Sequence, residues 1–279
     1  MNRATFLGSL AIGLWSILAL LSRAAAALPP FELAAMTFGV SGGIGVAWLA
    51  ARGELGVLRQ SWRAWLHGAG GLFVYHALFF AALAHAPAAE ANLINYTWPL
   101  LIVLLSAPML GLRLTWRHLL GGATGLCGSL VMLARGTDFG AAALLGYACA
   151  GGASLTWAFY SVLARRLHGV PSQAVFGFCA GTAVLAGLAH VAFEPTVIPD
   201  AATAGYVLLL GLGPVGGAFM LWDIGMKRGD PRLLGTLAYA TPVASTIVLG
   251  LAGYARLSVA TLAAATLVTA GGWIVARAR

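Results

Sequence analysis

Residues 91–112 read ANLINYTWPLLIVLLSAPMLGL, an uncharged run of 22 residues that ends against Arg113. At a helical rise of about 1.5 Å per residue, such a run crosses the roughly 30 Å hydrocarbon core of a bilayer. A companion run, LLGTLAYATPVASTIVLGLAGYA at Leu233–Ala255, ends against Arg256. Shifted by 143 positions, it sets Tyr239 on Tyr96, Pro242 on Pro99, Arg256 on Arg113, Leu257 on Leu114 and, further along, Gly271 on Gly128. A shift of 142 sets Trp157 on Trp15, Arg165 on Arg23, Pro171 on Pro29 and Gly181 on Gly39. Leu and Ala abound and coincide by chance, so the matches of Trp, Tyr, Pro and Arg carry the signal. The chain is to be built from membrane helices, and from two copies of one unit.

Composition agrees. Of 279 residues, 60 % are hydrophobic and 9 % charged, where an ordinary soluble domain carries about 25 % charge. Mean hydropathy is +0.89. A soluble domain, a disordered chain and a secreted disulfide scaffold are excluded by these values. Ten uncharged spans are read: Ala4–Ser22, Leu33–Ala51, Leu66–Ala84, Ala91–Leu112, Leu119–Ala134, Phe139–Ala164, Ser172–Phe193, Ala201–Trp222, Leu233–Ala255 and Leu257–Ala276. They lack the period-two alternation of barrel strands, so an all-α integral membrane protein with ten transmembrane helices is expected.

With the N-terminus placed in the cytoplasm, 13 of the 16 Lys and Arg residues fall inside, and three, Arg23, Arg135 and Arg256, fall outside. Glu32, Glu90, Asp138, Glu194 and Asp200 also lie outside. An excess of Lys and Arg marks cytoplasmic loops, which predicts both termini inside. Arg23 and Arg256, as mates of Arg165 and Arg113, read as helix-end side chains that snorkel to the interface. The net charge of +8 is thus an orientation signal. No basic stripe interleaved with exposed aromatics accompanies it, so no nucleic-acid partner is expected. Arg3, the apolar run after it and Ala24–Ala27 imitate a cleavable signal peptide; the repeat, which pairs the first span with the sixth, argues against that reading.

The two copies occupy residues 1–135 and 139–279, with five spans each. Five is odd, so the second copy is expected upside down relative to the first. Inverted repeats characterise secondary transporters, whose halves rock about a site near the midplane. Each copy ends on a similar turn, Gly111-Leu112-Arg113-Leu114-Thr115 and Gly253-Tyr254-Ala255-Arg256-Leu257-Ser258. With Pro99 and Pro242 upstream, the whole chain resembles the drug/metabolite transporter superfamily of EamA type. The first half, with Tyr75-His76 and Asn95-Tyr96-Thr97-Trp98-Pro99, is similar to bacterial aromatic amino-acid exporters of the YddG type. Many EamA proteins carry Glu before the turn arginine, where this chain has Leu112 and Ala255; no role of that Glu is carried over.

Candidate site residues follow from depth and chemistry. Proline removes a helical N–H, so Pro99 frees the carbonyl of Asn95 and Pro242 that of Ala238. Both are read as hinges lining a cavity, or as kinks satisfied by neighbouring helices. Trp15, Trp98 and Trp157 lie mid-span, where an indole N–H needs a partner, and Tyr75, Phe79, Tyr96, Tyr160 and Tyr239 lie at comparable depth. They form an aromatic pocket or pack between helices. His76 is the ionisable residue nearest a span centre, either cavity-lining and the candidate for proton coupling or a neutral His bonded to another helix. Asn92 and Asn95 bind substrate or bond between helices. Trp62, Trp65, Trp116, Trp222 and Trp273 sit at span ends and read as interfacial anchors. Asp223 and Lys227 have the spacing of an i,i+4 ion pair. Gly39/Gly43, Gly121/Gly125, Gly177/Gly181 and Gly213/Gly217 have the spacing of close helix contacts.

Cys127, Cys149 and Cys179 have neither disulfide nor zinc spacing, and no metal site is expected. Phosphate-loop, HExxH and GxSxG motifs are absent, so no cofactor and no catalytic residue are assigned. The partners expected are the lipid bilayer and a small-molecule substrate; the residues leave oligomeric state open. The resemblance implies a bacterial inner-membrane secondary transporter that exports aromatic and other small amino acids or related metabolites by alternating access. Movement of another small metabolite or a cationic drug, in either direction, and an intramembrane enzyme are the alternatives.

Overall fold

A computed structural model describes residues 1–133, 143–254 and 258–278. The described residues are helical, with no strand among them. Arg135, Asp138, Arg256 and Leu257, the ends Ala134, Phe139 and Ala255 of three expected spans, and the junction between the two expected copies lie outside them.

Among the described residues fifteen α-helices follow one another: α1 Arg3–Ser16, α2 Leu18–Ala24, α3 Pro30–Ala51, α4 Trp62–Trp65, α5 Gly71–His85, α6 Ala88–Asn95, α7 Trp98–Leu110, α8 Trp116–Leu133, α9 Leu144–Ala164, α10 Ala174–Phe193, α11 Ala201–Leu210, α12 Ala218–Arg228, α13 Pro231–Ala238, α14 Ala240–Leu251 and α15 Val259–Ala276. Several are segments of one longer rod. π-Helical turns at Leu66–Gly70 and Gly211–Gly217 join α4 to α5 and α11 to α12. Eight stretches among the described residues are long and apolar enough to cross a membrane: Arg3–Ala24, Pro30–Ala51, Trp62–His85, Glu90–Leu110, Ala174–Phe193, Ala201–Arg228, Pro231–Leu251 and Val259–Ala276. Helices α8 and α9, of 18 and 21 residues, fall outside those eight and pack in the same bundle.

Local chemistry sets the ends. Asn2, Ser61, Asp200 and Ser258 accept N–H bonds from the first turns of α1, α4, α11 and α15. Gly111 and Gly253 follow α7 and α14 with φ of 67° and 81°, a left-handed backbone that glycine adopts without strain. The Glu194 carboxylate accepts the Phe31 and Glu32 N–H groups at 2.9 and 3.0 Å, holding negative charge at the positive end of α3. Glu32 in turn accepts the Val197 N–H at 3.0 Å.

Pairing of the helices has a regular plan. α1 packs on α12 and α5 on α9, while α3 packs on α10 and α8 on α15. The α3–α10 contact corrects the expected glycine spacing. A Cβ on Gly42 would lie 2.5 Å from the Ala180 backbone nitrogen, and one on Gly45 would overlap the Phe176 ring, whereas one on Gly43 would meet nothing within 4 Å. The helices approach through Gly42 and Gly45. In the same way Gly211 and Gly216, rather than Gly213, meet Val40 and Ser41 of α3. Gly121 and Gly125 do face α15 and Tyr239, and Gly177 and Gly181 face Trp65. The outward faces are apolar: Leu188, Val191, Phe193, Leu251 and Val259 are all exposed, as lipid contact requires.

Candidate functional site

The core of the bundle is aromatic. Trp15 of α1, Trp98 of α7, Trp157 of α9 and Trp222 of α12 converge from four helices. Ring centroids lie 5.1 Å apart for Trp15–Trp222, 5.7 Å for Trp15–Trp157, 5.9 Å for Trp98–Trp222 and 6.2 Å for Trp98–Trp157. Such edge-to-face and tilted contacts suit ring quadrupoles. Two of the indole N–H groups have partners in the structure. Trp15 Nε1 donates to the Pro214 carbonyl in the π-helical turn at 3.0 Å, and Trp222 Nε1 donates to Ser161 Oγ at 3.0 Å. A buried indole is thereby tolerated at membrane depth.

The cluster extends in two directions. Through Trp157 it reaches Tyr75 at 5.1 Å and Tyr160 at 5.2 Å, and Tyr160 stacks on His67 at 4.7 Å. Through Phe219 it reaches Phe38 at 5.7 Å and His76 at 6.3 Å. Phe79 stacks on Tyr75, one turn away, at 6.2 Å. His76 Nδ1 lies 2.8 Å from the Leu72 carbonyl, so this nitrogen carries the proton and bonds to its own helix, not to another. Its ring stands edge-on to Phe38 and Tyr75, both at 5.0 Å.

The broken helices frame this cluster. Helix α6 stops at Asn95 and α7 restarts at Trp98, and α13 stops at Ala238 with α14 starting at Ala240. Pro99 and Pro242 each sit in the first turn of the second segment, where a missing N–H costs nothing. Tyr96 lies in the break itself, between Asn95 and Trp98. Buried Asn95 reaches the Tyr75 hydroxyl with Nδ2 at 3.5 Å, and its Oδ1 has no hydrogen-bond partner among the described residues. Asn92 bonds back to the Ala88 carbonyl at 2.7 Å. Thr97 and Ser154 join hydroxyls at 2.8 Å beside the break.

Of the sequence-predicted residues, Trp15, Tyr75, His76, Phe79, Asn95, Tyr96, Trp98, Trp157 and Tyr160 therefore gather in one region. Tyr239 does not. It is fully buried with Val243, Ala264 and Val268, and its hydroxyl accepts the Leu100 N–H at 3.1 Å. Trp222 corrects the interfacial assignment: it is 1 % exposed, whereas Trp62, Trp116 and Trp273 are 69, 66 and 57 % exposed. Its helix runs on to Arg228, so it is not at a span end. Phe38, His67 and Phe219 join the cluster without being among the sequence-predicted residues; an aromatic inside an aliphatic span is the signal for Phe38, while His67 and Phe219 lie near the ends of their expected spans. The Asp223–Lys227 pair forms as spaced, with Nζ and Oδ2 2.8 Å apart.

At the end of the bundle rich in arginine, the elements are tied together. Arg165 donates to the Gly229 carbonyl at 2.6 Å, Arg166 to Met109 at 2.8 Å and Arg232 to Arg113 at 2.9 Å. Thr5 Oγ1 accepts the Asp230 N–H at 3.0 Å. Toward the other end, the Arg23 guanidinium lies over the Tyr254 ring, 5.2 Å from its centroid.

Comparison with known proteins places this architecture. The chain is 50 % identical over 274 residues to the "Aromatic amino acid exporter YddG" of Ancylobacter novellus, covering 97 % of this chain and 96 % of that protein. It is 28 % identical over 248 residues to the "Probable terminal-alkyne amino-acid exporter" of Streptantibioticus cattleyicolor, covering 84 % of this chain and 83 % of that one. A crystal structure with 48 % sequence identity superposes with a TM-score of 0.94 and covers 98 % of this chain and 96 % of its own. Residues 2–134 and 144–277 each match the EamA-like transporter family. The chain therefore belongs to the EamA-like transporter family.

Proposed function

We propose that the protein is a secondary transporter of the bacterial inner membrane that exports aromatic and other small amino acids or related metabolites by alternating access. The observation that carries this reading is the meeting of four tryptophans from four helices beside two broken rods. Ring faces attract a cation and ring area buries an apolar side chain. An aromatic amino acid presents both. Asn95 Oδ1, without a hydrogen-bond partner among the described residues, adds an acceptor beside the cluster for a polar group of the substrate. The exporter names of the two relatives, both for amino-acid cargo, support the same substrate class.

The reading includes ten spans, α8 and α9 joining the eight apolar stretches, in two inverted five-helix halves with both termini in the cytoplasm. The helix pairing supports it. Exchanging the halves turns the α1–α12 contact into α5–α9 and returns α3–α10 and α8–α15 to themselves. The two family matches, one on each side of residues 135–143, support it as well. Pro99 and Pro242 act as hinges, and His76 is the proton-coupling candidate. Trp15, Tyr75, His76, Phe79, Asn95, Tyr96, Trp98, Trp157 and Tyr160 contact the substrate, while Tyr239 holds the α6–α7 break. Catalysis is no part of this reading.

The test is efflux of labelled phenylalanine and threonine from proteoliposomes, with and without a pH gradient. Saturable efflux, competed by unlabelled amino acid, supports the carrier. A linear concentration dependence indicates a channel, and chemical conversion of the label an enzyme; either overturns the reading. His76→Asn that keeps the wild-type pH profile removes the proton role alone.

A further inference from the structure

The chain contains fifteen arginines and one lysine, and that lysine, Lys227, is buried. Its side chain is 5 % exposed and that of its partner Asp223 7 %. Lys227 Nζ lies 2.8 Å from Asp223 Oδ2 and donates to the Val170 carbonyl, in the connection between α9 and α10, at 2.9 Å. The pair adjoins the aromatic cluster. Asp223 follows directly on Trp222, whose ring packs on Trp15 and Trp98 and whose indole donates to Ser161, next to Tyr160 in the chain.

Such a pair is an expensive way to hold a helix in place. Desolvation costs several kcal/mol per ion, and well-packed apolar residues of similar volume serve as well or better. The residue type points the same way. Arginine, with its planar fork, suits a fixed ion pair, whereas lysine carries a compact charge whose three donors change partners readily. Everywhere else in this chain a basic role falls to arginine.

An α-amino acid carries an ammonium and a carboxylate on one carbon, the same two charges that Asp223 and Lys227 now satisfy in each other. We infer that Asp223 and Lys227 form a zwitterion-matched head-group site: when Lys227 releases Val170, Asp223 takes the substrate ammonium and Lys227 its carboxylate, with the side chain directed to the aromatic cluster. Exchange of partners leaves every charge paired, so no ion is buried alone. This rests on the amino-acid export reading and adds the residues that select for the zwitterion.

The experiment is exchange of labelled phenylalanine in proteoliposomes, with unlabelled phenylalanine, phenethylamine (no carboxylate) and 3-phenylpropionate (no ammonium) as competitors. For the wild type, phenylalanine competes about tenfold better than either analogue, equivalent to one charge-assisted contact. Lys227→Met reverses the order in favour of phenethylamine, and Asp223→Asn in favour of 3-phenylpropionate. The double variant Asp223→Asn/Lys227→Met leaves no unpaired buried charge. It keeps its melting temperature and ranks the three competitors within about threefold of one another. If a single variant fails to fold, the double variant decides. Folded variants that retain the wild-type ranking overturn the head-group site alone. A wild type that moves no phenylalanine overturns the export reading, and the head-group site with it.

Discussion

At the residue scale, burial and hydrogen bonding decide what each aromatic does. Trp222 packs on Trp15 and Trp98 and donates to Ser161. Trp222→Ala opens a large void and is expected to cost about 3–5 kcal/mol, read as a lowered melting temperature in detergent. Trp62→Ala, at a position 69 % exposed, is expected to stay within about 0.5 kcal/mol of wild type. Asn95 makes one long side-chain bond, 3.5 Å to Tyr75, and leaves Oδ1 open. Asn95→Ala is therefore expected to raise the KM for phenylalanine about fivefold, the worth of one ordinary hydrogen bond, with little change in melting temperature. Nine of the ten expected site residues meet in one region because mid-span depth selects for the centre of a bundle. Trp222 escaped the sequence reading because Asp223 and Lys227 look like the charges that end a span. Buried against each other, they mark no interface. Tyr239 shows the converse: its match to Tyr96 fixes its position, while its bond to Leu100 depends on which helix faces it.

At the element scale, breaks and glycine contacts set how the rods meet. The breaks before α7 and α14 were legible, since each carries a proline that cannot continue the hydrogen-bonded ladder. The π-helical turns were not: Gly68, Gly70 and Gly71, and Gly211 to Gly217, lower helix propensity without specifying which looser turn results. The break at Ile17 has no proline or adjacent glycine to announce it. If the prolines are hinges, Pro99→Ala and Pro242→Ala slow phenylalanine transport about tenfold at equal expression; wild-type rates in both dismiss the hinges. The α3–α10 contact gives a sharper stability test. Gly42→Ala forces a methyl group against the Ala180 backbone and is expected to cost about 1–3 kcal/mol, whereas Gly43→Ala faces open space and is expected to be neutral or slightly stabilising. Thermal unfolding of the two variants side by side checks the pair. The GxxxG spacing told which helices carry small residues, not which face of each turns inward.

At the scale of the whole molecule, the membrane character, the helical class and the family were legible from hydropathy, charge placement and doubled rare residues. The aromatic centre was legible in outline, because tryptophans are costly at mid-depth unless they meet partners. Its exact membership depended on rotations that no span boundary encodes. The central claim is that the tryptophan cluster is the transport site and opens to each side of the membrane in turn. The direct measurement is accessibility of a cysteine placed at Phe219 of a variant lacking Cys127, Cys149 and Cys179, in oriented vesicles that transport phenylalanine. A membrane-impermeant thiol reagent is applied from each side in separate experiments, with and without phenylalanine. Labelling from both sides, slowed by phenylalanine in each case, is the predicted result. Labelling from one side only, or labelling that phenylalanine leaves unchanged, contradicts it.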